Sequence, residues 1–373
     1  MKPYLHLTLG ALFFIAPVVA RGEGDWETTP ASEAALARGL AWLERNQGPQ
    51  GNWESNDLGL VSMGALAFLA AGRTPGIGKQ GQPVERALGF VLSGAQPNGL
   101  LNISSPGRAM YNHGLATFVL GQAHGMTADP RINGVLDRSL KLIVSTQADD
   151  GGWDYTAEHK ARGHDLSLAV MQAKALRSAV DSGLDVPPEV IEMAIKSVRG
   201  YYRAAGGGRG MNENAMKKLP GQFTYAGSRT STAMQAAGVV CLQEFGQYDD
   251  WRIAKNMTEI ERAVAQLKPT KGGGTLPMDA YTLYYVGQAL YQVGGEPWKR
   301  SYPKLRDAVV ASQYRSDTDR RRDGHWRDSR HVGGKPGELY GTAVACFILA
   351  IPNRYLPILQ EGKIDRLQER FKK

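Results

Sequence analysis

Three aspartates, Asp57, Asp165 and Asp279, each stand just ahead of a long, nearly uncharged stretch of sequence. Carboxylates so placed can act as general acids or bases. A helix N-terminus favours a carboxylate over a carboxylic acid, which suits a base better than a strong acid. The same place also suits an N-cap, whose side-chain oxygen accepts from the orphan N–H groups of the first turn. Asp165 and Asp279 are the expected acid/base pair, with capping as the structural use of all three. His113 and His164 also begin such stretches, and with Asp165 they could form an acid/base pair or hold a metal. Their spacing of about 50 residues matches no recognised ligand pattern, so no metal and no cofactor is expected, and satisfied histidines are the simpler reading. Arg229, within Ser228-Arg229-Thr230-Ser231, presents a planar fork that fits a carboxylate or phosphate, with an interhelix ion pair as its structural alternative. Arg229, Tyr281, His113, His164 and Tyr340 make up the expected substrate-binding set.

These residues recur at equivalent places because the chain repeats. Six segments share one plan: a charged amphipathic stretch, a loop with Gly and usually an aromatic residue, then a nearly uncharged stretch ending in Gly or Pro. The third reads Val135–Thr146, Asp150-Gly151-Gly152-Trp153, Asp165–Val180 and Gly183; the sixth reads Leu305–Tyr314, Gly324-His325-Trp326, Leu339–Ile351 and Pro352. A repeat of this size signals stacked supersecondary units. Leading stretches carry charges such as Asp137 and Lys141, or Glu261 and Arg262, which predicts one wet face and an outer position. Most trailing stretches carry none, as in Tyr281–Val293 and Tyr340–Ile351, and a helix apolar all round is buried all round. Six buried helices inside six half-exposed ones make an all-α, (α/α)6 toroid. Sustained β alternation is missing, so no sheet is expected. In such a ring the inner-helix N-termini converge on one mouth, and polar residues there share a pocket.

The rest of the composition narrows the class. The net charge of +8 over 373 residues is mild, and Arg320-Arg321-Arg322 is flanked by Asp319 and Asp323, so no nucleic acid partner is expected. Cys241 and Cys346, the two cysteines, fall on inner helices that are not ring neighbours and read as buried thiols rather than a disulfide. Gly206-Gly207-Gly208-Arg209-Gly210 lacks a Lys-Ser/Thr ending and reads as a flexible insert rather than a phosphate loop. Lys2, the apolar run Leu5–Val19 and the small residues of Val18-Val19-Ala20 read as an export signal over residues 1–20, with an uncleaved anchor as the alternative. The toroid is then expected over residues 34–360, followed by a charged tail at 361–373. Apolar stretches such as Leu58–Ala71 are too short to span a bilayer, so the body of this exported, cell-envelope protein could touch lipid only peripherally.

The stretch Gln147-Ala148-Asp149-Asp150-Gly151-Gly152-Trp153 resembles the repeat of squalene cyclases and protein prenyltransferase β-subunits, and Gln313…Asp323-Gly324-His325-Trp326 is a weaker copy. Through these and Gln288-Ala289-Leu290-Tyr291-Gln292-Val293-Gly294-Gly295, the chain resembles secreted bacterial prenyltransferase and squalene-oxidase repeat proteins. The resemblance implies a terpenoid-cyclase-like toroid with an isoprenoid or other apolar ligand in a central cavity. Aromatic residues on the inner helices, Phe68, Phe118, Tyr281, Tyr284, Tyr285 and Tyr291, would line that cavity or simply pack the core. The catalytic signatures implied by the resemblance are missing. There is no Asp-x-Asp-Asp run, the nearest string being Asp317-Thr318-Asp319-Arg320, and neither cysteine has an Asp two residues before it. A scaffold that binds protein or polymer, and a carbohydrate-active (α/α)6 enzyme, are the alternatives. The last needs two carboxylates about 5–10 Å apart across a groove, for which Asp165 and Asp279 are the candidates.

Overall fold

The computed structural model describes residues 26–207, 210–268, 272–328 and 337–360. The expected export signal at 1–20, the tail at 361–373, and Gly208 and Arg209 of the glycine-rich insert lie outside them. Helices come in pairs. Outer α1 (Pro30–Arg45) and inner α2 (Leu58–Ala70) form the first, α3 (Gly78–Ser93) and α4 (Ala109–Ala123) the second, and α5 (Arg131–Ser145) and α6 (Leu166–Asp181) the third. Outer α7 (Pro188–Gly200) is followed by strand β1 (Tyr202–Ala204), the short helix α8 (Glu213–Lys218) and strand β2 (Gly221–Phe223) before inner α9 (Thr232–Glu244). Outer α10 (Trp251–Ala265) and inner α11 (Ala280–Val293), then outer α12 (Gly295–Ser312) and inner α13 (Glu338–Ala350), complete the set. The inner helices pack in the order α2, α4, α6, α9, α11, α13 and back to α2. The protein is an (α/α)6 toroid.

Burial follows the sequence pattern. Every residue of α2 and α4 is buried, whereas α5 buries Ile132, Val135, Leu136, Ser139, Leu140 and Ile143, one stripe at helical spacing. One expectation is corrected here. A small sheet exists, β1 paired antiparallel to β2 with Tyr202 opposite Phe223. The fourth outer helix ends at Gly200, where the chain turns extended to enter β1 at Tyr202. Cys241 and Cys346 are both free and buried.

The Gly-aromatic loops join each pair to the next. The Gln147 amide donates to the Gly151 carbonyl at 3.1 Å and to the Val190 carbonyl of α7 at 2.9 Å. Gln47 makes the same two-way link to Gly51 and to Pro83 of α3, and Gln313 to Gly324 and to Ala35 of α1. The indole N–H groups of Trp53, Trp153 and Trp326 donate to the carbonyls of Leu43, Ile143 and Val309 on the preceding outer helix. Gly151 has a φ of 84° and Gly324 of 93°, and a Cβ at either would collide with backbone, of Met193 and of Arg38 respectively. Since Arg38 lies on α1, the sixth loop closes the ring onto the first pair.

Side chains from five inner helices fill the toroid axis. Lys174 of α6 pairs with Glu244 of α9 at 3.1 Å, bonds Gln288 of α11 and sits 4.4 Å from the centre of the Phe118 ring on α4. Tyr284 of α11 packs against Phe347 of α13 with ring centres 5.2 Å apart. Burial lowers the Lys174 pKa, and its carboxylate and amide partners offset the cost of enclosing its charge.

Candidate functional site

Above this filled axis, the inner-helix N-termini open onto a cleft of about 440 Å³. Its wall includes Arg108, Tyr111, Tyr155, Tyr225, Arg229, Asp279 and Tyr281, with Ser231 and Thr282 among the smaller polar groups. Helix termini set most of these positions. Arg108 is the N-cap residue of α4, and Tyr111 lies in its first turn. Ser231 caps α9 through the Met234 N–H, and Asp279 caps α11 through the Thr282 N–H at 2.9 Å. The two loop tyrosines are held by helix starts. The Tyr155 carbonyl accepts from the Met110 N–H of α4, and the Tyr225 carbonyl accepts from the Leu166 N–H of α6, so each loop satisfies an orphan donor of a first turn. Their hydroxyls meet at 2.9 Å.

The phenols of the cleft are held in the neutral, hydrogen-bond-donating form. Burial raises the pKa of Tyr111 and Tyr281 well above the ordinary value, and raises that of Tyr155 and Tyr225 as well. Arg108 lies over the Tyr111 ring at 5.8 Å and Arg229 over the Tyr225 ring at 5.3 Å, so each guanidinium is steadied by a ring face.

The residues singled out from the sequence divide into those that reach the cleft and those that do not. Arg229, Asp279 and Tyr281 line it. Asp165 is fully enclosed. One of its oxygens accepts from the Ser167 N–H at 2.8 Å, the Leu168 N–H at 3.2 Å and the Ser167 hydroxyl, and the other bonds His164 Nδ1 at 2.8 Å. Asp165 and Asp279 thus do not meet across an open groove. His164 is half-exposed and packs edge-on to Tyr155, behind the wall rather than in it. His113 faces away from His164: its Nδ1 accepts from the Leu101 N–H, and its Nε2 lies 3.1 Å from the Ser139 carbonyl of α5. Tyr340 is buried beside the cleft, with Asp328, Asp279 and Asp57 in its electrostatic surroundings. Asp57 caps α2 through the Leu60 N–H. Among the described residues no group of three or more His, Cys, Asp or Glu side chains is placed to hold a metal.

Arg108, Tyr155 and Tyr225 were not legible as site residues. Arg108 precedes the second inner helix by a position that charge alone does not mark, and helix α4 begins at Ala109, one turn before the His113 start read from the uncharged run. The tyrosines sit on loops whose path depends on the helix starts they cap.

No family model matches this chain, and no curated protein matches it. Among solved structures it is similar to an inactive variant, two neighbouring aspartates changed to alanine, of the α-1,6-mannanase GH76A of Salegentibacter sp. HEL1_6 in complex with α-1,6-mannotetrose. The TM-score is 0.54 at 11% identity, over 90% of this chain and 100% of that one. At that identity the likeness is one of fold. It corrects the resemblance to prenyltransferase and squalene-oxidase repeat proteins: the matched toroid is a glycoside hydrolase, and the Gln, Gly and Trp residues that carried the resemblance are the ones that tie helix pairs together. The isoprenoid partner is corrected with it. An apolar chain needs a deep dry cavity, and Lys174, Glu244, Tyr284, Phe118 and Phe347 occupy that space.

Proposed function

We propose that this toroid is a carbohydrate-active protein that holds a saccharide in its mouth cleft. The observation that carries the reading is the wall itself: four tyrosines interleaved with Arg229, Asp279, Ser231 and Thr282. Sugar rings present C–H faces that pack on aromatic rings and hydroxyl edges that need charged or polar partners, and this wall offers both in alternation. The volume falls in the range of small-ligand sites, roughly 300–1,000 Å³. The toroid of similar fold was captured with a mannotetrose, which supports the same class of ligand here.

Recognition is better supported than hydrolysis by paired carboxylates. That chemistry wants two carboxyl groups facing the scissile bond, and Asp279 is the one carboxylate in the described wall. The neighbouring aspartate pairs of this chain are used elsewhere. Asp150 accepts from the Gly152 and Gly163 N–H groups with Asp149 against His159, and Asp250 holds Arg199 and Arg252. Asp279 is assigned to accept from sugar hydroxyls, and Asp165 to position the α6 terminus and His164 behind them. An exported protein, as residues 1–20 suggest, would meet such polymers outside the cytoplasm. The reading is tested on an array of neutral and acidic oligosaccharides with wild type and Tyr225→Ala. Saccharide binding weakened about tenfold or more by the substitution is expected. An array bare of signal, or unchanged binding by the variant, would overturn it.

A further inference from the structure

The two arginines of the cleft, Arg108 half-buried and Arg229 exposed at its rim, differ in their partners from the more enclosed arginines of the chain. Arg177 pairs with Asp181, Arg252 with Asp250, Arg306 with Asp307 and Arg354 with Glu27. Among the described residues Arg108 and Arg229 have no carboxylate partner, and each guanidinium instead rests on a tyrosine ring. A ring takes the flat face of a guanidinium and leaves its N–H edge for a bidentate acceptor. The two charges stand at the starts of α4 and α9, with α6 between them, whereas Asp279 stands at the start of α11. Asp279 is already engaged, with one oxygen on the Thr282 N–H and the other on the Thr282 hydroxyl. The cleft therefore holds two guanidinium charges against one carboxylate, and the positive ends of the α4, α6 and α9 dipoles lie at the same mouth.

We propose that the saccharide is acidic, with an oxyanion substituent, a ring carboxylate foremost, seated in the N–H forks of Arg229 and Arg108. Asp279 accepts from the hydroxyls of an adjoining sugar. This rests on the carbohydrate reading above and names the substrate class of that site. A neutral saccharide would leave both forks to water, and a lipid phosphate would leave the four phenols without ring faces to pack on.

The test is calorimetric titration with a panel of uronate tetrasaccharides of different ring stereochemistry. Each is paired with its carboxyl-reduced twin, and a sulfated tetrasaccharide is run alongside. The wild type should bind at least one uronate tenfold or more tighter than its neutral twin, with the gap narrowing as salt is raised. Arg108→Gln combined with Arg229→Gln should remove that gap, so that the uronate binds no tighter than its neutral twin, and thermal melting verifies that the variant folds. Tighter binding of the sulfated chain than of any uronate would assign a sulfate ester as the oxyanion. Equal affinity for uronates and their twins, or a preference that survives both substitutions, would overturn the inference and leave the carbohydrate reading standing. Failure of every saccharide to bind would overturn that reading as well.

Discussion

His113 carries no charge in the folded chain because burial lowers its pKa from 6.5 to about 4, against a smaller opposing effect of the Ser139 carbonyl. The unfolded chain takes up this proton near pH 6.5, and the folded chain resists it until near pH 4. The stabilising share of His113 is therefore complete above pH 6.5 and is lost as pH falls towards 4, by roughly 3 kcal/mol. Urea midpoints measured at pH 7.5 and 4.5 should diverge more for the wild type than for His113→Gln. The aspartates separate by the same reasoning. Asp165→Asn disturbs a fully enclosed acceptor serving α6 and His164, and should cost about 1–3 kcal/mol in thermal unfolding. Asp279→Asn, half-buried at the cleft, should cost under about 1 kcal/mol and act on saccharide binding instead. Equal losses of stability would contradict that division. The sequence showed that these positions are helix starts, since an Asp ahead of an uncharged run is a strong capping signal. It did not show which of them faces the mouth, because that depends on rotation about the helix axis and on loops that cover one start and leave the next open.

At the scale of elements, one device is used three times: a Gln that ties its own loop to the next outer helix, a Gly that lets the loop lie against that helix, and a Trp that reaches back to the preceding one. Gly151→Ala would force a Cβ into the Met193 carbonyl at a φ of 84° and should destabilise by about 3 kcal/mol or more. A melting temperature within a degree of wild type would show that the loop can lift away without cost. The helix pairs were legible because burial on all sides excludes charge and burial on one side leaves a stripe, and both patterns survive in a single sequence. Strands β1 and β2 were not, since three residues are too few to show alternation and their pairing spans an insert. The Gln–Gly–Trp repeat misled about function for a physical reason. Its residues satisfy backbone groups between helices, a need set by the toroid and indifferent to what the toroid binds.

Across the whole molecule, the ring is closed by contacts between its two ends as well as by the sixth loop. Glu27 is buried, accepts from the Trp298 indole at 2.6 Å and pairs with Arg354 through both oxygens, and the Trp26 carbonyl is held by Arg306. Glu27→Ala leaves a buried indole N–H and a half-buried guanidinium without their partner, and should cost about 2–3 kcal/mol. Because each pair leans on two neighbours, calorimetry of that variant should show a single transition at lower temperature, and two resolved transitions would mean the ring opens before it unfolds. The closed ring leaves the mouth as the place where inner-helix termini, unpaired arginines and phenols converge, and the claim that a saccharide sits there is the centre of this account. A crystal structure of the protein with the tightest-binding oligosaccharide tests it most directly. Sugar rings packed on Tyr111, Tyr225 or Tyr281 with a substituent in the Arg229 fork are predicted, and a saccharide bound on the outer helices with the mouth vacant would contradict it.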